Sequence, residues 1–106
     1  MSAGTTLPVD AIRLTPQDTV ATVLRPIAAG EHVRVRCGTE VVPTLATEAV
    51  PLCHKLSLVP HRPGEAVRKY GEVIGEATML IASGAHVHVH NMRSRRGRGT
   101  APGPAG

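Results

Sequence analysis

Ala82-Ser83-Gly84-Ala85-His86-Val87-His88-Val89-His90-Asn91 is the stretch on which the reading of the fold turns. From His86 onward it carries the strictest alternation in the chain, and period two is the signature of a β-strand with one apolar face. Gly84 supplies the tight turn that launches it. The same local pattern recurs at Ala28-Ala29-Gly30-Glu31-His32-Val33-Arg34-Val35 and at Arg62-Pro63-Gly64-Glu65-Ala66-Val67-Arg68-Lys69. In each copy a glycine turn precedes a strand with valine pointing inward. The copies are unequally spaced, so the chain is no solenoid. Several short strands separated by Gly/Pro turns predict a mostly β domain with a small barrel-like or clip-like core.

Outward from these copies the pattern fills in. Residues 12–14 alternate as a short strand. Thr15-Pro16-Gln17-Asp18 reads as a turn, with Thr15 or Asp18 available to cap a short helical turn through Val20, Ala21 and Leu24. In residues 32–36, Val33 and Val35 share one face and His32, Arg34 and Arg36 the other. The return strand 40–45 contains Pro43, which places it at a sheet edge. Residues 55–59 and 67–70 read as further strands, Gly71 and Gly75 bracket residues 72–74, and the type of 76–82 stays open. Residues 1–9 read as a flexible leader, 10–92 as the folded domain, and 93–106 as a basic, Gly/Pro/Ala-rich tail expected to be disordered.

With 106 residues there is room for one core. Tyr70 is the only aromatic residue, so the core must be Val, Leu, Ile, Ala and Met, and a nucleic-acid platform of stacked aromatics is close to excluded. The net charge of +4 is carried by Arg93, Arg95, Arg96 and Arg98 in the tail. The remainder is balanced, with no second basic surface, which argues against nucleic acid. No apolar stretch approaches the ~20 residues of a membrane span. Met1 to Pro8 has no secretory pattern. Cys37 and Cys53 lack CxxC spacing and read as small packing residues, reduced in the cytoplasm. A domain this small is also expected to lean on a partner, or on copies of itself when isolated.

His86, His88 and His90 would share one strand face, with alternate residues about 6.5–7 Å apart. Imidazoles at that spacing can converge on one metal ion or line one side of a pocket, and a single one can act as general acid or base. The plain alternative is an exposed polar face. Lys69 could bind a carboxylate or phosphate as a point charge, or be solvated. Tyr70 reads as core packing with a satisfied hydroxyl. His32 and His61, beside charged neighbours, read as surface residues. No phosphate-binding loop, dinucleotide fingerprint or nucleophile elbow is present. A domain this small and open suggests a site completed by a second polypeptide.

Taken in order, Asp18-Thr19-Val20, Ile27-Ala28-Ala29-Gly30-Glu31, His54-Lys55, Lys69-Tyr70-Gly71-Glu72-Val73-Ile74-Gly75 and Gly84-Ala85-His86-Val87-His88-Val89-His90-Asn91 resemble the small subunit of the altronate/galactarate dehydratase family. That unit is a SAF domain of the β-clip fold. The resemblance covers roughly residues 10–92. It implies metal-dependent dehydration of a sugar acid, with Fe²⁺ or Mn²⁺ as the ion and a large catalytic subunit supplying most of the chemistry. A sister branch, the alpha subunit of (2R)-sulfolactate sulfo-lyase, carries the same histidine stretch and eliminates sulfite instead of water. On the family pattern His54, Lys55, His88 and His90 are expected catalytic residues. Lys69, Tyr70, Gly71 and Asn91 are expected to bind substrate, and His86, His88 and His90 to bind the metal. One departure stands out: Cys53 occupies the place of a family glycine. If that glycine holds a positive φ, cysteine strains the turn.

Overall fold

The computed structural model describes residues 9–94. Nine strands follow one another: β1 Ala11–Arg13, β2 Val20–Val23, β3 His32–Cys37, β4 Glu40–Leu45, β5 Lys55–Ser57, β6 Ala66–Lys69, β7 Glu72–Ala77, β8 His86–Val87 and β9 Met92–Ser94. Among the described residues there is no helix. The expected helical turn at 18–24 is instead β2, paired on one side with β1 and on the other with β5. Val20, Ala21 and Val23 are all buried because β2 is covered on both faces. Such a strand loses the alternation that identifies its type.

A six-stranded sheet runs β4-β3-β1-β2-β5-β8, and a three-stranded sheet runs β6-β7-β9. β4 lies at the edge, as Pro43 implies. Val33 and Val35 are buried while His32, Arg34 and Arg36 face outward. β9 takes Arg93 and Ser94 into the smaller sheet, two residues past the expected boundary at 92. The leader up to residue 8 and the tail from 95 lie outside the described residues.

The recurring turn organises the fold. Gly30, Gly64 and Gly84 have φ of +90°, +89° and +87°. In each copy the glycine N–H donates to a carbonyl of a neighbouring segment, and that residue's N–H donates back to the residue after the glycine. The pairs are Gly30 and Glu31 with Ala46, Gly64 and Glu65 with Ala77, and Gly84 and Ala85 with Ser57. Three residues before each glycine an isolated bridge forms: Ile27 with Val50, and His61 with Ile81. The second and third turns therefore interlock, each hooking the segment that leads into the other. A Cβ at Gly84 would collide with the Leu45 carbonyl oxygen, so this turn tolerates no side chain.

Two apolar clusters fill the space between the elements. One includes Val23, Val33, Val50 and Leu56; the other includes Val20, Val67, Ile81 and Val87. Leu56 and Val87 are fully buried in adjacent strands and hold β5 against β8. Ile81 is packed by His61, which is 1% exposed and not at the surface. Neighbouring charge in the sequence misled there: Arg62 points out while His61 points in.

Candidate functional site

The site grows from the β5–β8 pairing. Lys55 lies opposite Val87 and Leu56 opposite His86. One further step of that register sets His54 against His88. The two rings stack with centroids 3.9 Å apart and planes 19° from parallel. His54 Nδ1 lies 2.8 Å from His86 Nε2, so one proton is shared across a hydrogen bond. The ligand nitrogens of His54, His86 and His88 all lie within 4.8 Å of one another. His88 Nδ1 is buried without a hydrogen-bond partner.

His90 is not part of this trio. β8 ends at Val87, and the chain turns through residues 88–91. His90 is exposed, its ring 5.1 Å from that of His86 and tilted by 42°. Asn91 causes the turn. Its side-chain amide donates to the His86 carbonyl at 2.8 Å and accepts from the His88 N–H at 3.0 Å. It thus stands in for the strand that β8 lacks on that side. At 5% exposure, with its oxygen and its nitrogen bonded to the backbone of His88 and His86, Asn91 orients the histidines.

His54 is positioned by its own turn. Its N–H donates to the Pro51 carbonyl, and its carbonyl accepts from Val23 N–H. Between them Cys53 has φ of +72°. Cysteine therefore occupies a left-handed position that glycine would take at little cost. The Cys53 side chain is exposed, not packed.

Burial is the main cause lowering the pKa of both His86 and His88. Repulsion adds to it: from His90, His54 and His88 for His86, and from His54, Lys55 and His90 for His88. Glu48, whose carboxylate accepts the His86 backbone N–H at 2.9 Å, opposes the shift at His86. Neutral rings with free lone pairs are what a metal site requires.

A second group of site residues sits apart from the imidazoles. By the pleat, Leu56 and His86 face one side of the β5–β8 pair, and Lys55 and Val87 the other. On that other side Lys55 lies across from Thr22 of β2. The Tyr70 hydroxyl donates to Thr22 Oγ1 at 3.1 Å, and Lys69 Nζ lies 4.9 Å over the Tyr70 ring. Tyr70 is 43% exposed, so it is not core packing. Tyr70 and Gly71 form a left-handed pair with φ of +55° and +80°. Asp18 pins this pair: its carboxylate accepts the Gly71 N–H at 2.8 Å, while also holding Leu14 and Thr15. Asp18 thus caps a turn and ties it to the site, a role its expected place as a helix cap did not reveal. A cavity of about 300 Å³ adjoins, lined by Lys69, Tyr70, Glu72, Ile74, Met92 and Ser94.

Sequence comparison places these features in a family. A family profile described as the altronate/galactarate dehydratase SAF domain matches residues 9–95. The chain is 41% identical over 49 residues to a (2R)-sulfolactate sulfo-lyase subunit alpha of Chromohalobacter salexigens, covering 46% of this chain and 52% of that subunit. It is 38% identical over 47 residues to the corresponding subunit of Paracoccus pantotrophus, covering 44% of this chain and 70% of that one. It is 37% identical over 83 residues to an altronate dehydratase of Escherichia coli, covering 78% of this chain but 16% of the longer enzyme. The chain thus spans about half of the first of these relatives and a small fraction of the dehydratase. With the profile matching all of the described residues, the chain belongs to the altronate/galactarate dehydratase SAF domain family.

Proposed function

We propose that this chain is the SAF unit of a lyase of the dehydratase or sulfo-lyase kind, presenting its imidazoles to an active site that a larger catalytic polypeptide completes. The observation that carries this reading is the convergence of His54, His86 and His88. The relatives support it: one set is named as subunits, and the other as a dehydratase of which this chain matches a small part. The substrate is a hydroxy acid of the altronate, galactarate or sulfolactate type. The work is done in the cytoplasm.

The three imidazoles would hold a divalent ion. The donor set fits: all three side chains offer nitrogen, and the unpartnered His88 Nδ1 is a buried lone pair or N–H in search of a partner. Of Fe²⁺ and Mn²⁺, nitrogen donors favour Fe²⁺. When bound, such an ion acts as a Lewis acid toward a carboxylate or departing hydroxyl. His54 Nδ1 and His86 Nε2 already face each other at 2.8 Å, and the ligand nitrogens of all three rings lie within 4.8 Å of one another. With the His54 and His86 N–H groups on their outer nitrogens, both facing lone pairs would be available to the ion, and because protonated rings cannot coordinate, affinity would fall as pH falls. His90, exposed at the rim, is left free to move a proton, and Lys55 holds positive potential against His88. Asn91 fixes the two strand histidines from behind.

The test combines the chain with its large catalytic polypeptide and assays altronate, galactarate and (2R)-sulfolactate with Fe²⁺ or Mn²⁺ present. Turnover is expected on one of them only with both polypeptides. His86→Ala and His88→Ala should each lower it by ~10³-fold or more while the complex still forms. Full turnover without this chain, or with both variants, would overturn the reading. Tight sugar-acid binding by the isolated chain with no effect on turnover would make it a binding module instead.

A further inference from the structure

We infer that Lys55, Thr22 and the Tyr70 hydroxyl form an oxyanion subsite on the face of the β2–β5 pair opposite the imidazoles, one that takes the carboxylate or sulfonate end of the ligand. The inference rests on the lyase reading for the identity of that ligand, but not on the metal.

Lys55 is the anomalous group. It is half-buried at the start of β5, and the ion pairs among the described residues leave it out. A lysine so placed costs stability unless something anionic compensates it. Lys69 itself has a carboxylate across its hairpin, since Glu72 is its β7 partner and lines the adjoining cavity. Lys55 has no such neighbour on its strand partners: Thr22 lies on one side and Val87 on the other.

Thr22 is the group that sequence reading passed over. Directly opposed residues of an antiparallel pair have Cβ atoms about 4.5–5.5 Å apart on one face. Thr22 Oγ1 accepts the Tyr70 hydroxyl proton, so its own proton is free to be donated elsewhere. The chain Tyr70 to Thr22 therefore ends in a hydroxyl donor on the residue paired with Lys55, whose ammonium joins none of the ion pairs among the described residues. A hydroxyl donor and an ammonium on paired residues are complementary to an oxyanion. Tyr70 holds its place through a left-handed backbone fixed by Asp18 and Gly71, and such strain is characteristic of sites where position matters.

The full chain should be titrated with galactarate, (2R)-sulfolactate and methanesulfonate while the Lys55 ε-methylene and Thr22 methyl resonances are followed by NMR. Saturable shifts at both are expected, with galactarate and sulfolactate separating carboxylate from sulfonate preference. Lys55→Met should weaken binding at least tenfold. Thr22→Val, which keeps the shape and the β-branch, should weaken it about fivefold, and Thr22→Ser should restore it. His54→Ala should leave these shifts intact, so a failure of the metal reading and a failure of this one are told apart. Absence of saturable shifts, or equal affinity in wild type and Thr22→Val, would overturn the inference.

Discussion

His61 and the trio His54, His86 and His88 lie in one small domain, yet their rings are put to opposite uses. His61 is sealed between the two interlocked turns. Ser57 Oγ donates to the Val59 carbonyl at 2.7 Å, so at 3.0 Å it can only accept from His61 Nδ1–H. That fixes the tautomer and leaves His61 Nε2 buried as a bare lone pair. The trio instead stack against one another at an accessible edge and share a proton among themselves. The contrast teaches that a histidine's function follows from what its second nitrogen faces. Facing packed protein it is a core residue; facing other imidazoles it joins a cluster of nitrogens that could hold a metal ion.

The sharpest way to break this contrast is to release the trio from behind. Asn91→Ala removes both the donor to His86 and the acceptor from His88, and should lower Co²⁺ affinity by 10- to 100-fold. Val33→Ala, in the distant core, should lower the melting temperature and leave that affinity unchanged. Equal loss of affinity in both variants would mean that Asn91 matters only for folding. Next in size is Asp18→Asn. It sets an amide against the N–H groups of Thr15 and Gly71 and should cost about 2–3 kcal/mol in denaturant unfolding. Burial opposes ionisation of Asp18, yet its hydrogen bonds from Gly71 and Thr15 prevail and hold its pKa below 3.8. Its contribution is therefore complete above that value and is lost as pH falls through the folded pKa, a loss the variant should lack.

A smaller effect separates the buried ring from the exposed ones. Burial is the main cause lowering the His61 pKa, so the unfolded chain binds the proton first as pH drops below about 6.5. Stability should then fall as pH falls through that range. His86 and His88 act in the same direction, so His61→Leu should flatten part of the slope. An unchanged slope would mean that His61 is not held neutral. The smallest effect is at Cys53, where glycine should relieve the left-handed backbone and raise stability by up to ~1 kcal/mol. A loss of stability in Cys53→Gly would show that no strain is stored beside His54.

Much of this was legible in the residues because it is local. The three glycine turns, the edge position of β4 and the inward valines of β3 follow from alternation and from the chemistry of Gly and Pro. The positive φ at residue 53 was legible from the glycine that the family carries there. What escaped was non-local or ambiguous. Val20-Ala21-Thr22-Val23 is buried on both faces and so shows no period of two. The alternation of residues 86–90 stops being a strand at His88, because Asn91 folds back onto it. His54 joins the cluster only through a register 32 residues away, and Thr22 enters the second site through a tyrosine 48 residues away. Neither pairing leaves a trace in spacing.

We propose His54, His86 and His88 as the metal-ligating set, with His90 outside it. Titration of the full chain with Co²⁺, read by its visible absorption, tests this on wild type and the four single alanine variants. Loss of binding by tenfold or more in His54→Ala, His86→Ala and His88→Ala, with His90→Ala near wild type, is the predicted result. Binding that survives His54→Ala and vanishes in His90→Ala would contradict it.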